Sequence, residues 1–263
     1  MQKQKLIWGK HEGQDSQLLQ LSGGYCQLAM KHFPGGWAIG STKASTPQDE
    51  MRISLSDTAL MPENPQIFQT GRSSNLFIQP ALPAKPLVFR SAKTISIRQH
   101  QTMCVYLAVP LQIQLYYKSV DAENLLAEFE TERLSDTWFG EPDAGTAAFS
   151  AGSKFGLQPG QLAMNQHEVM IPVTIQNNST QLLDLQRVLV RVELMNLYQI
   201  GPSVVSDIAF IEFKGPDQSS HLSFGTDKNI HGNSPVLLAK ARQASNRNLL
   251  GHSFHFIKQF TQF

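Results

Sequence analysis

Apolar and polar residues alternate with a period of two in several stretches of the chain. Leu111, Ile113, Leu115 and Tyr117 alternate with Gln112, Gln114, Tyr116 and Lys118, the signature of a strand with one buried and one wet face. Val169, Ile171, Val173 and Ile175 repeat the pattern, and Asn177–Asn178–Ser179 follows as a turn. Val188, Val190, Val192 and Leu194 repeat it again, with Arg191 and Glu193 on the opposite face. Further strands are expected at Tyr25–Phe33, Leu87–Ser91, Thr94–Arg98, Leu125–Glu132 and Asp207–Lys214. Turn chemistry separates them at Pro34–Gly35–Gly36, Pro142–Asp143–Ala144–Gly145, Pro159–Gly160 and Gly215–Pro216–Asp217.

The crossover helices that a parallel α/β fold requires are not legible between these segments. The expectation is therefore an all-β chain of antiparallel, sandwich-like units, with a single closed barrel as the competing architecture. The C-terminus reads differently. Ser234 suits an N-cap and Pro235 the first helical position, Val236 to Gln243 favours helix, and Leu249, Leu250, Phe254, Ile257, Phe260 and Phe263 recur at helical spacing. A β domain over residues 1–120, a second over 121–232 and a helical segment over 233–263 packed on them follow from this reading.

Charge changes that picture more than composition does. The 263 residues carry a formal +1, but residues 1–120 hold 12 basic and 6 acidic side chains, a net of +6. Residues 121–263 hold 10 basic and 15 acidic, a net of −5. The acids concentrate at Asp121, Glu123, Glu128, Glu130, Glu132, Asp136, Glu141 and Asp143, against Arg133 alone. Such a run reads as a solvated face or, less simply, as a site for a cation or basic partner. The opposite charge of the halves predicts that they pack with partial electrostatic complementarity. The near-neutral total gives no global case for nucleic acid.

The longest apolar stretch, Met103 to Leu111, is nine residues and contains Pro110, too short for a spanning helix. The basic start, MQKQK, is followed by no apolar signal core, because Gly9, Lys10, His11 and Glu12 intervene. Cys26 and Cys104 lie in apolar, strand-like runs and read as reduced core thiols and not as a disulfide framework. A cytoplasmic location is expected. Sandwich edges allow a homo-oligomer.

Catalytic motifs are scarce. Gly152–Ser153–Lys154 ends like a phosphate loop, but Ala147 stands where its first glycine belongs. There is no GxSxG, CxxC or HExxH. His252 and His255 share one helical face and lack further local metal ligands, and His221, Asp227 and His231 fall in one turn-rich stretch. No cofactor and no metal is expected. The segment from Asp136 to Asp143 sets two aromatics beside several acids, as a sugar site does. In the plainer alternative Trp138 and Phe139 anchor a loop while the acids face water. Trp138, Phe139, Glu141 and Asp143 are the candidate ligand surface.

The same run, Asp136–Thr137–Trp138–Phe139–Gly140–Glu141–Pro142 followed by Gly145, resembles the central motif of an uncharacterised prokaryotic family. That family is a domain of unknown function found in archaea and proteobacteria. Ile171 to Ser179, Asn248 to Phe254 and Trp8–Gly9–Lys10 are similar to it as well. The resemblance implies a β-rich protein with no assigned chemistry. It also implies a membrane-stress context, because some members are encoded near small mechanosensitive channels. Together these readings describe a non-catalytic binding or regulatory module for an unknown protein or small molecule. The alternative is a carbohydrate-active or metal-assisted hydrolase working through residues 136–143.

Overall fold

Period-two alternation becomes strands almost everywhere in the computed structural model. It describes residues 6–15, 17–71, 73–140, 142–143, 145–152, 154–216, 218, 220–243 and 257–258. Among the described residues the strands are β1 (Gly9–Glu12), β2 (Leu18–Phe33), β3 (Gly35–Ser56), β4 (Gln66–Gly71), β5 (Asn75–Ala81), β6 (Leu87–Ile97) and β7 (Thr102–Pro110). There follow β8 (Gln112–Tyr117), β9 (Leu125–Glu130), β10 (Ser135–Phe139), β11 (Thr146–Ser150), β12 (Phe155–Gly156), β13 (Glu168–Asn177) and β14 (Leu183–Val190). The last are β15 (Leu197–Ile200), β16 (Ser203–Ser206), β17 (Ile208–Phe213), β18 (His221–Gly225), β19 (Val236–Ala239) and β20 (Ile257–Lys258). One α-helical turn, α1 (Lys228–His231), and three 3-10 turns at Ala122–Asn124, Pro159–Gln161 and Val192–Leu194 interrupt them. The chain is all-β, as expected.

The described residues form two compact units. Unit 1 draws on Met1–Ala81, Pro110–Arg133 and Asn165–His167, and unit 2 on Leu82–Val109, Leu134–Met164 and Glu168–Phe263. Unit 1 contains a sheet of order β2-β3-β4 and another of order β1-β5-β8-β9. Its core joins Leu19, Leu21, Cys26, Leu28 and Met30 of β2 and Trp37, Ile39 and Met51 of β3 to Leu76 and Ile78 of β5 and Ile113 and Leu115 of β8. Both sheets thus bury one face in a shared cluster, and burying a side chain of this size contributes about 1.5–3 kcal/mol. Unit 2 holds sheets of order β10-β11-β6-β14-β20 and β12-β7-β13-β17-β18, with a small sheet β16-β15-β19.

Three features depart from the sequence reading. The strand β14 ends at Val190, and Val192–Leu194 forms a 3-10 turn with Glu193 buried, not a further stretch of strand. Antiparallel pairing dominates, but β13 pairs with β17 and β11 with β6 in parallel. The helix expected from Val236 onward is not formed there: Val236–Ala239 is β19, paired antiparallel to β15. Ladder bonds to an otherwise open edge outweigh the modest helix propensity of Val-Leu-Leu-Ala. The expected helical stripe at Leu249, Leu250, Phe254, Phe260 and Phe263 lies outside the described residues, whereas Ile257–Lys258 is strand β20, antiparallel to β14.

Candidate functional site

The β2–β3 hairpin of unit 1 is unusual in presenting a polar face with spare hydrogen-bonding capacity. In the first half of β2 the odd positions Leu19 and Leu21 face the core, and in the second half the even positions Cys26, Leu28 and Met30 do. The phase changes where the register with β3 shifts, around Gly24, which pairs with Gln48. A one-residue slip exchanges the two faces of a strand, so this irregularity keeps Gln20, Ser22, Gln27 and Ala29 on one outer face. Across the ladder, Ser54, Arg52 and Thr42 are the partners of Gln20, Ser22 and Gln27.

Glycine is required at the shift. Gly24 has φ +57°, and a Cβ there would lie 2.3 Å from the Thr131 carbonyl oxygen, a backbone atom fixed by the Tyr25 N–H that donates to it at 2.7 Å. A strap at residues 57–65 then crosses the outer face. Ser56 Oγ accepts from the N–H groups of Thr58 and Ala59 and starts the strap. Gly40 lets Pro62 approach, since a Cβ at Gly40 would meet Pro62 Cδ at 2.8 Å.

The result is a cavity of about 430 Å³ lined by Gln20, Ser22, Gln27, Gln48, Thr42 and Ser54, with Leu60 and Pro62 as an apolar wall. Leu60 is 89% exposed. Thr42 Oγ1 donates to Gln27 Oε1 at 3.2 Å. Gln20, Ser22, Gln48 and Ser54 make no side-chain hydrogen bond among the described residues, and the first three are half-buried. Arg52 brings the one charge, and Glu50 Oε2 accepts from its Nη2 at 2.8 Å and its Nε at 3.2 Å. The site is neutral and rich in amides and hydroxyls.

The acidic–aromatic segment is arranged otherwise. β10 and β11 form a hairpin in which Trp138 pairs with Ala147 and Phe139 with Thr146. Trp138 is 46% exposed and Phe139 3%, because neighbours on a strand face opposite ways. Phe139 is an anchor under the Arg187 guanidinium, 5.2 Å from its ring centroid. Asp143 is exposed, and Glu141 lies outside the described residues. Asp136 pairs with Lys85 at 2.6 Å. The two aromatics therefore do not share one binding surface. Further along the acid run, Glu128 and Glu130 line a depression of about 520 Å³ together with Lys43 and Phe129. Glu128 also accepts from Gln114 Nε2 at 2.5 Å.

Other polar groups are committed to structure. In unit 2 the buried Asp207 carboxylate accepts from Asn196 N–H at 2.7 Å, Asn196 Nδ2 at 3.0 Å and Tyr198 O–H at 2.9 Å. Burial and the neighbouring Asp207 push the Tyr198 phenol up to about 12. His231, buried beneath Tyr198, accepts at Nδ1 from Asp227 N–H at 3.0 Å and donates from Nε2 to the Ser206 carbonyl at 2.8 Å. His221 is exposed on β18, so this stretch does not assemble a histidine pair. Glu193 is buried beside Arg191; burial raises its carboxyl and the guanidinium lowers it in part. Burial alone pushes the Cys26 thiol up to about 12, as an inert core thiol requires. His252 and His255 lie outside the described residues.

Fold and site define an all-β protein of two units with an open pocket on a strand hairpin, lined mainly by amides and hydroxyls. The chain belongs to a family of proteins of unknown function, DUF432, whose model matches residues 7–258. The resemblance to a family of unknown function agrees with that membership. No curated protein and no solved structure matches the chain. No helix among the described residues is long and apolar enough to cross a membrane.

Proposed function

We propose that this protein is a non-catalytic binding module and that unit 1 holds a small, neutral, polyhydroxy ligand on the outer face of the β2–β3 hairpin. Unit 1 is then read as a sandwich-like unit, with a shared core on the inside and the ligand site on the outside. The observation that carries the proposal is the set of unpartnered polar side chains, Gln20, Ser22, Gln48 and Ser54, around one cavity of about 430 Å³. That volume suits a mono- or disaccharide, since small-molecule sites span roughly 300–1,000 Å³.

Side-chain amides donate and accept together, as a row of ligand hydroxyls does, and Leu60 and Pro62 offer an apolar surface to the C–H face of a sugar ring. A charged ligand would find Arg52 already occupied by Glu50. Saturation-transfer NMR with trehalose, glucose and glycerol tests the proposal. Transfer to at least one probe is expected in the wild type and is expected to be lost when Gln20→Ala and Gln48→Ala are combined. Absence of transfer from every probe, or transfer unaffected by the double substitution, would reject it.

A further inference from the structure

We propose a second, independent site in unit 2, where Arg90 and Arg187 together bind a phosphate-type dianion. The two residues are direct cross-strand partners on β6 and β14, and Lys258 takes the register position opposite Arg187 on β20. Three consecutive strands thus place a basic residue on one rung. Like charges directly opposed across a ladder are destabilising, so the Arg90–Arg187 pair needs an explanation in structure or in function.

Structure does not supply it among the described residues. Arg187 donates from Nη2 to the Trp138 carbonyl oxygen at 3.2 Å and stacks over Phe139, but it has no carboxylate partner. Arg90 is exposed and forms no ion pair. The acids carried nearby are engaged elsewhere: Asp184 accepts from Ser96 Oγ at 2.5 Å, and Asp136 holds Lys85. The Arg187 charge is felt: burial and the repulsion of Arg90 both lower its proton affinity.

The local backbone favours an open site. Between the pairs Leu185–Ile95 and Arg187–Arg90, β6 carries residues 91–94 opposite the single residue Gln186. Bulges of this type re-aim side chains and recur beside functional sites. Exposed Lys93 belongs to this bulged segment. Arg187 is held by Phe139 and the Trp138 carbonyl, so one guanidinium is oriented in advance, while Arg90 is free to close on a ligand. Two forks meeting from adjacent strands match the oxygens of one tetrahedral anion. A dianion neutralises both charges, which a single carboxylate does not.

The ligand chemistry is a phosphate group, carried either by a soluble compound or by a lipid headgroup. The test uses the intact chain with inorganic phosphate as probe, by ³¹P NMR titration and by thermal unfolding against chloride at matched ionic strength. Phosphate-specific stabilisation is expected. Arg90→Gln and Arg187→Lys are each expected to weaken binding about tenfold or more, as loss of a charge-assisted fork implies. Arg98→Gln, just past the end of the same strand, is expected to leave it unchanged.

Co-sedimentation with phosphatidic acid vesicles separates the two sources. Vesicle binding competed by phosphate assigns a headgroup, and phosphate binding without vesicle binding assigns a soluble phosphate; both support the site. Absence of any phosphate effect beyond chloride overturns the proposal, as does undiminished binding in Arg90→Gln, whose exposed side chain has no structural role to confuse the result. Because the polyhydroxy pocket lies in the other unit, failure here leaves that reading untouched.

Discussion

Two polar clusters in this protein differ in how their hydrogen bonds are spent. In unit 2 the buried Asp207 carboxylate accepts three bonds from half-buried Asn196 and Tyr198, and both ring nitrogens of buried His231, packed edge-on against Tyr198, are engaged by backbone groups. In unit 1, Gln20, Ser22, Gln48 and Ser54 gather around one cavity and bond to no described side chain. A satisfied buried network rigidifies a fold, because removing one member strands the others without water. A row of unsatisfied, accessible groups does little for the fold and is available to something else. The first cluster is architecture, and the second is the one proposed above as a site.

This contrast can be broken by substitution. The largest effect is expected for Asp207→Ala, which leaves the donors of Asn196 and Tyr198 without an acceptor and is expected to cost about 3–5 kcal/mol in urea unfolding. A loss under about 1 kcal/mol would show that the network is dispensable. Gly24→Ala comes next, at about 2–4 kcal/mol, because it combines a left-handed backbone with a clash against Thr131. It is also expected to abolish any ligand binding on the β2–β3 face, since that face depends on the phase change.

Tyr198→Phe is expected to cost about 1 kcal/mol near neutral pH and to alter the alkaline limb. The folded-state value of Tyr198 is raised from 10.0 to about 12, so the folded state keeps a proton that the unfolded state has released. The contribution is complete below pH 10 and is lost as pH rises toward 12. Stability of the wild type is thus expected to fall more steeply than that of Tyr198→Phe between those values, measured by circular dichroism in urea. Parallel curves would remove Tyr198 from the account. Gln48→Ala marks the other extreme. Its effect on stability is expected to stay within about 0.5 kcal/mol while saturation transfer from trehalose weakens; a larger destabilisation would make Gln48 part of the scaffold.

Much of the fold was legible from local pattern. The alternation at Leu111–Tyr117 and Val169–Ile175 gave β8 and β13, and Asn177 closes the expected turn, its buried side chain bridging the Ile97 and Gln181 carbonyls at 2.9 and 2.8 Å. The β2–β3 turn at Pro34–Gly35 was legible too. The long strand β3 was not, because Ser, Thr, Lys and Pro47 break its alternation. Val236–Ala239 was legible only as helix, since its partner strand lies some forty residues upstream.

The candidate site divides in the same way. The acids and aromatics of 136–143 are adjacent in sequence, yet strand geometry sends Trp138 outward and Phe139 inward. Gln20, Ser22, Gln48 and Ser54 are chemically unremarkable and far apart, and the one local hint was Gly23–Gly24 inside an alternating run.

What the sequence by itself determined is the strand content and its turns, because both follow from interactions between residues a few positions apart. Tertiary structure alone decided which strands pair, which face of the β2–β3 hairpin stays polar, and that Arg90 meets Arg187 on one rung. Those outcomes depend on register between distant segments, and a register is not written in either strand alone.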